Sequence, residues 1–480
     1  MHFTRFSVSL PTKGKNMRKF LIGATNSGCG KTTITAGLLR ALSRRGQRVQ
    51  PFKCGPDYID TQYHQLACGC ESVNLDTWFA SPEHLQQVFQ HYGADADTCI
   101  VEGVMGLFDG YDRWHGSSAE IAKILDIPII LIVNAKSMAY SVAPILWGYK
   151  NYRTRLSSLE ADCNSENLEN VIADKGDQEV FVIFNHVGSD RHARLLRDAY
   201  EDTGVTCIGM IPRIKDMAVP SRHLGLTLEN TAMMEEMIEK AAQAVEQYVD
   251  LSVFEKTAGD SSLFTLHSSH AQDSSLFTLH SSHAQDSSLF TLHSSLKNIS
   301  IARDEAFNFT YRENIDVLKQ KGEATFFSPL SDKHLPEGTD FLYLPGGYPE
   351  FFLQQLTENE TMRQSIRTYI ENGGACLAEC GGMMYLCRSI IDSDGTAWPM
   401  AGVLQQDATM EGMRLHLGYR TFEHEGRTWC GHEFHYSSVP HPDASLMLPV
   451  KMYDARGNEV DTPVFSYKNL MASYAHLYWG

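Results

Sequence analysis

Short, continuously apolar runs separated by longer mixed stretches are the dominant pattern of this chain. Lys19–Gly23, Arg48–Lys53, Thr98–Glu102, Ile127–Asn134, Val180–Asn185 and Cys207–Pro212 read as strands, and Lys31–Arg45 reads as a helix. Runs without polar alternation are the mark of parallel strands covered on both faces. The same pattern resumes later, with strands at Ile299–Asp304, Phe341–Pro345 and Ala375–Glu379. The expectation is an α/β protein of two doubly wound domains, with ligands at the carboxyl ends of the strands.

Interruptions of the pattern place the boundaries. Residues 1–16 form a basic extension, with Met17 a candidate start directly before the first strand. Residues 17–250 make the first domain, with a polar, acidic surface insertion over 153–178. Residues 251–297 are read as a linker. They carry a tandem repeat, Asp260–Gln272 copied as Asp273–Gln285 and in part from Asp286 to Ser295. The units are too short and too few for a solenoid. Their His-x-x-His pairs, His267/His270 and His280/His283, sit in a Ser-rich segment and are given no metal role. Residues 298–480 make the second domain.

Composition narrows the class. A net charge of −17 argues against nucleic acid or an anionic membrane surface as partner. No apolar run is long enough to span a bilayer. Eleven scattered cysteines fit a reducing cytoplasm better than a disulfide framework, and Cys68-Gly-Cys70 lacks a second pair at zinc spacing. The sequence leaves homo-oligomerisation open.

Two motifs carry chemistry. Thr25-Asn26-Ser27-Gly28-Cys29-Gly30-Lys31-Thr32-Thr33 follows a strand and opens a helix. Its backbone N–H groups suit the phosphates of ATP, Lys31 the β/γ oxygens and the Thr32 hydroxyl a Mg2+ ion. A P-loop NTPase domain is therefore expected. Thr25 replaces the usual first glycine, and the lysine that marks partitioning ATPases is absent at Asn26 and Ser27. Lys53, Asp57 and Asp60 follow the second strand, and Glu102 and Asp109 the third, so one lysine and four carboxylates should ring the same cleft. Asp57 and Asp60 also suit helix capping. Asn185 ends a later strand, where it can read adenine or simply make a turn.

In the second domain, Ala378-Glu-Cys380-Gly-Gly382 follows a strand and precedes a helix, the arrangement of a nucleophile elbow. The helix end should favour the thiolate. His416, His432, His435 and His476 are candidate bases, and spacing alone does not choose among them.

Together, Ser27-Gly-Cys-Gly-Lys-Thr, Phe52-Lys-Cys-Gly-Pro-Asp-Tyr-Ile-Asp60, Val101-Glu-Gly-Val-Met-Gly-Leu-Phe-Asp-Gly110, Pro345-Gly-Gly-Tyr-Pro-Glu350, Ala378-Glu-Cys-Gly-Gly-Met-Met-Tyr385 and Gly431-His-Glu-Phe-His-Tyr-Ser437 resemble the cobyrinic acid a,c-diamide synthase family. The first half is similar to dethiobiotin synthetase and the second to class I glutamine amidotransferases. The resemblance implies ATP-dependent amidation of two carboxylates of cobyrinic acid, a corrinoid, with L-glutamine as nitrogen donor. It selects His476 as the base for Cys380, and it implies Thr32, Asp57 and Glu102 for Mg2+. Asp60 and Asp109 are left to position the acceptor carboxylate or guide ammonia, and Gly346 and Gly347 to supply oxyanion-hole N–H groups. Amidotransferases outside this family carry a glutamate two residues after the histidine. Here that position is Tyr478, so what orients His476 stays open. Rival readings are the same chemistry on a nickel sirohydrochlorin, or a switch ATPase of the partitioning type.

Overall fold

The computed structural model describes residues 17–162, 179–214, 228–255 and 296–479. The extension 1–16, residues 163–178 of the expected insertion and the repeats lie outside them.

Strands β1 (Arg18–Ala24), β2 (Val49–Cys54), β3 (Val73–Leu75), β4 (Thr98–Glu102), β5 (Ile129–Asn134), β6 (Val180–Val187) and β7 (Thr206–Pro212) form one sheet in the order β3-β2-β4-β1-β5-β6-β7. Every pairing is parallel. Alternation along the strands feeds two cores. Leu21, Val101, Ile129 and Leu131 face one layer, and Phe20, Ile22, Ile100, Ile130 and Ile132 the other. Helices cover both faces: Pro82–Gly93, Ser118–Leu125 and Asp190–Glu201 on the first, Lys31–Arg44 and Leu228–Tyr248 on the second. Both faces are dry, which is why these strands lack polar alternation.

The second sheet comprises β8 (Asn298–Ala302), β9 (Glu323–Phe327), β10 (Phe341–Leu344) and β11 (Ala375–Glu379), joined later in the chain by two more strands. Between β11 and those two run β12 (Cys387–Ile391), β13 (Ala397–Pro399), β14 (Leu404–Thr409), β15 (His416–His424), β16 (Arg427–His435), β17 (Met452–Tyr453) and β18 (Glu459–Val460). The late strands are β19 (Val464–Tyr467) and β20 (Leu470–Ser473), and β21 (His476–Leu477) ends the series. The central order is β19-β20-β11-β10-β8-β9, parallel except for the edge pair β19/β20. Helices cover one face. On the other, the antiparallel sheet β18-β17-β15-β16-β21 adds Phe422, Trp429 and Met452 to the helix Arg312–Lys321. This half is therefore doubly wound with one helical layer partly replaced by a sheet, which the sequence reading did not foresee.

The two halves meet through side chains at several points. Tyr92 donates to Asp316 at 2.7 Å, Tyr419 to Asp76 at 2.8 Å, and Glu71 pairs with Arg303 and Arg312. A small aromatic core of Tyr58, Phe309, Tyr311 and Tyr348 draws on both halves.

Candidate functional site

The first centre is built at the carboxyl ends of β1, β2 and β4, which register places side by side. After β1 the loop turns through left-handed Gly28 (φ 80°) and Gly30 (φ 91°) into the helix Lys31–Arg44. Any Cβ at Gly30 would stand 2.4 Å from Asn185 Nδ2, so only glycine fits there. Asn26 folds over the loop, accepting from Thr25 Oγ1 at 3.0 Å and from Cys29 Sγ at 3.1 Å. Lys31 donates to the Met105 carbonyl at 3.1 Å.

Lys53 lies at the centre of the acidic group, only 1% exposed. Its ammonium reaches Asp60 Oδ2 at 2.6 Å, Glu102 Oε1 at 3.2 Å, the Gly103 carbonyl at 3.1 Å and Asp57 Oδ2 at 3.8 Å. The Thr32 hydroxyl lies 2.8 Å from Glu102 and 3.2 Å from Asp60. Burial opposes charge on Glu102, yet Lys53 and His64 hold its carboxyl well below the usual range. Asp57 makes the cap contact weighed for it and also faces the cluster. Oδ1 accepts the Ile59 and Asp60 N–H groups at 2.9 Å each, capping the helix Asp60–Cys68, while Oδ2 faces Lys53. Asp60 itself points inward.

Three expectations change. Lys53, expected to ring the cleft and bind nucleotide, is instead buried at the centre of the carboxylates, its ammonium held by Asp60, Glu102 and the Gly103 carbonyl. Asn185, weighed for adenine, is 1% exposed. It donates to the Cys29 carbonyl at 2.9 Å and accepts the His186 N–H at 2.9 Å, so it braces the phosphate loop and makes a turn. Asp109 stands apart from the other carboxylates, exposed, accepting the Gly106 N–H at 2.9 Å. Sequence reasoning also missed His64, which is fully buried between Glu102 (2.7 Å) and Ser72 (3.0 Å). Its one available signal was its position four residues after Asp60 on the same helix.

The second centre is the turn after β11. Cys380 has φ 46° and ψ −109°, a strained conformation for a residue with a Cβ and the signature of an elbow. Its N–H is held by the Ser473 carbonyl at 2.7 Å. Gly382 is required because a Cβ there would lie 2.2 Å from the Leu344 carbonyl oxygen. The thiolate that the helix end was expected to favour is opposed by burial. Cys380 is 3% exposed, the following helix Gly381–Leu386 is one short turn and a half, and burial pushes the thiol well up despite the Gly381 N–H.

Of the four histidines, His476 is the one against Gly346: a Cβ on Gly346 would stand 2.1 Å from His476 Cε1. His476 is buried, and burial pulls its pKa down to about 3 while the Phe309 backbone acts the other way. His435 is committed to Glu433 and the Ser437 carbonyl, and stacks between His416 and Tyr474. The strand carrying His476 is fixed by Glu379, the residue before the nucleophile. Its Oε1 accepts the Leu477 N–H at 3.0 Å and its Oε2 meets Tyr343 at 2.7 Å. Tyr478, in the position of the usual orienting glutamate, points the other way and bonds Glu313.

Comparison with known proteins assigns a family model to each half. Residues 20–226 match the CobQ/CobB/MinD/ParA nucleotide binding domain, and residues 298–480 the CobB/CobQ-like glutamine amidotransferase domain. The cobyrinate a,c-diamide synthase of Synechococcus sp. is 38% identical, covering 96% of this chain and 95% of its own length. The hydrogenobyrinate a,c-diamide synthase of Brucella anthropi is 34% identical over 96% of this chain and 98% of its own. The cobyrinate a,c-diamide synthase of Picrophilus torridus is 37% identical over 96% of both chains. With identity at this level along nearly its whole length, the chain belongs to the cobyrinate a,c-diamide synthase family.

Proposed function

We propose that this enzyme, a glutamine-dependent amidoligase, converts the a and c side-chain carboxylates of cobyrinic acid to amides, using ATP and L-glutamine, within cobalamin biosynthesis. The observation that carries this is the presence in one chain of a phosphate loop ringed by carboxylates and, in the other half, a cysteine elbow and a buried histidine set against Gly346. Neither a switch ATPase nor a free glutaminase needs both.

A carboxylate does not exchange its oxygen for ammonia at neutral pH, because the oxide is too poor a leaving group. An acceptor carboxylate oxygen therefore bonds the γ-phosphorus of ATP as the bond to the β-phosphate oxygen breaks, releasing ADP. Ammonia attacks the resulting acyl phosphate at carbon, and phosphate leaves with the C–O electron pair. The loop N–H groups of residues 26–33 and Lys31 hold the phosphates. Thr32, Asp57 and Glu102 offer oxygen donors alone, the set that suits a hard cation, and the Lys53 ammonium already stands among these carboxylates. Mg2+ held there would neutralise phosphoryl charge. Lys53 keeps the buried carboxylates ionised, and Asn185 fixes the loop. Asp60 and Asp109 orient the acceptor or the incoming ammonia, Asp60 from inside the cluster and Asp109 from the rim.

At the second centre Cys380 attacks the glutamine amide carbon. Its proton passes by way of His476 to the departing ammonia, and a thioester remains for water to hydrolyse. The Gly346 and Gly347 backbone N–H groups serve the oxyanion. Ammonium salts replace this half-reaction. Mass spectrometry of products tests the reading. Cobyrinic acid with ATP and glutamine should gain two amides, and a product from a nickel sirohydrochlorin instead would overturn the substrate.

A further inference from the structure

The aromatic core shared by the two halves separates the two centres, and its residues bear on both. Tyr58 belongs to the loop after β2, between Asp57 and Asp60. That loop is held by Asp57 against Lys53 and by Asn74, whose Nδ2 donates to the Gly55 and Asp57 carbonyls at 2.8 and 3.0 Å. The Tyr58 ring lies against His476, with ring centroids 4.9 Å apart and planes inclined by 32°. It also stacks on Phe309, at 5.2 Å and 12°. Phe309 in turn donates its N–H to the Gly346 carbonyl at 3.1 Å, and Gly346 backs the same histidine. Tyr348, two residues past Gly346, closes the group at 4.9 Å from Phe309. Tyr58 is 5% exposed and Phe309 2%.

The Cys380 thiol reaches the Phe434 carbonyl at 3.9 Å, and the His476 ring has the Phe309 backbone, on whose ring Tyr58 stacks, as its polar neighbour. Burial disfavours the protonated imidazole of His476, so its surroundings decide how good a base it is. The ring resting on His476 comes from the loop that carries two of the carboxylates of the ATP centre. Binding energy in one centre therefore has a short, packed route to the base of the other.

We propose that Tyr58 is a positioning residue that couples the two centres: it holds His476 idle until the Asp57–Asp60 loop is occupied on the ATP side, so that glutamine is not hydrolysed when no acceptor is activated. This rests on the two-centre reading above. The device acts through ring packing, since the contact to His476 is made by the ring, so phenylalanine should replace tyrosine.

The test compares wild type, Tyr58→Ala and Tyr58→Phe as full chains. Three quantities are read: glutamine hydrolysed with and without MgATP and cobyrinic acid, glutamate released per amide formed, and amidation from ammonium chloride. Wild type and Tyr58→Phe should hydrolyse glutamine at least several-fold faster with MgATP and acceptor than without, at close to one glutamate per amide. Tyr58→Ala should lose that response and release several glutamates per amide, while ammonium-driven amidation persists. An unchanged response and ratio in Tyr58→Ala would overturn the proposal. So would wild-type hydrolysis indifferent to MgATP and acceptor, or loss of ammonium-driven amidation in a folded Tyr58→Ala. If wild type hydrolysed no glutamine at all, the two-centre reading itself would fall.

Discussion

Single residues decide both centres, and their environments separate roles that the sequence could only group. Glu102 is wholly buried and touches Thr32, Lys53 and His64, whereas Asp109 is exposed and touches one loop N–H. Glu102→Gln keeps the shape but leaves Lys53 one charge short in a dry site. It should cost stability, on the order of 3 kcal/mol as for other broken buried pairs, and abolish amidation from either nitrogen source. Asp109→Asn should leave ATP affinity within a few-fold of wild type and act on the acceptor. Nucleotide titration of both variants checks this, and the reverse pattern would exchange the two roles. Glu379 gives a pH prediction. Burial raises its carboxyl to about 8, against the Tyr343 and Leu477 hydrogen bonds that pull it down. The folded state thus binds a proton that the unfolded state, with the ordinary glutamate value near 4.5, releases. Stability is full below the unfolded value and declines as pH rises from about 4.5 to about 8. Glu379→Gln, permanently neutral, should be the more stable protein at alkaline pH, by up to roughly 4 kcal/mol. Its advantage should vanish near pH 4. Melting curves across that range measure it, and a variant less stable at pH 9 would contradict the protonated state assigned here.

Among the elements, the strands with unbroken apolar runs were legible, and β4 and β11 were read at both ends. Their signal is burial on both faces, which composition alone records. The loop glycines and the cysteine turn were legible too, because only certain residues fit those backbone angles. What escaped was the region from β12 to β18. Apart from β15 and β16 its strands are short, and several have one wet face or lie at an edge, as the mixed burial of β13, β15 and β18 shows. Such segments have no continuous apolar signature and are defined by partners far along the chain. His64 and Tyr58 escaped for a related reason: their importance lies in contacts across elements, not in any motif. Gly346 offers an element-scale test. Gly346→Ala would drive a Cβ into the His476 ring, so the ring or the loop after β10 must move. Glutamine-driven amidation should fall at least a hundred-fold while ammonium-driven amidation stays within a few-fold. Equal loss of both would mean that the loop supports the ATP centre instead.

At the scale of the molecule, two sheets face each other across an interface with its own aromatic core and several ion pairs and hydrogen bonds. Contacts of this kind, rather than the connecting chain, set the relation of the halves. Deleting Asp273–Gln285, one repeat of the expected linker, should therefore leave melting temperature and activity nearly unchanged, since closure entropy changes by only about 0.6 kcal/mol per doubling of the length of a connection. A large loss of either would show that the repeats are structural. The central claim is that one chain holds two separable chemistries, the supply of ammonia at Cys380 and the activation of a carboxylate at the phosphate loop. The most direct measurement is amidation of cobyrinic acid by purified Cys380→Ser, run in parallel with glutamine and with ammonium chloride. The account predicts no amide from glutamine and near wild-type diamide from ammonium. Amide formation from glutamine, or loss of both reactions in a folded variant, would contradict it.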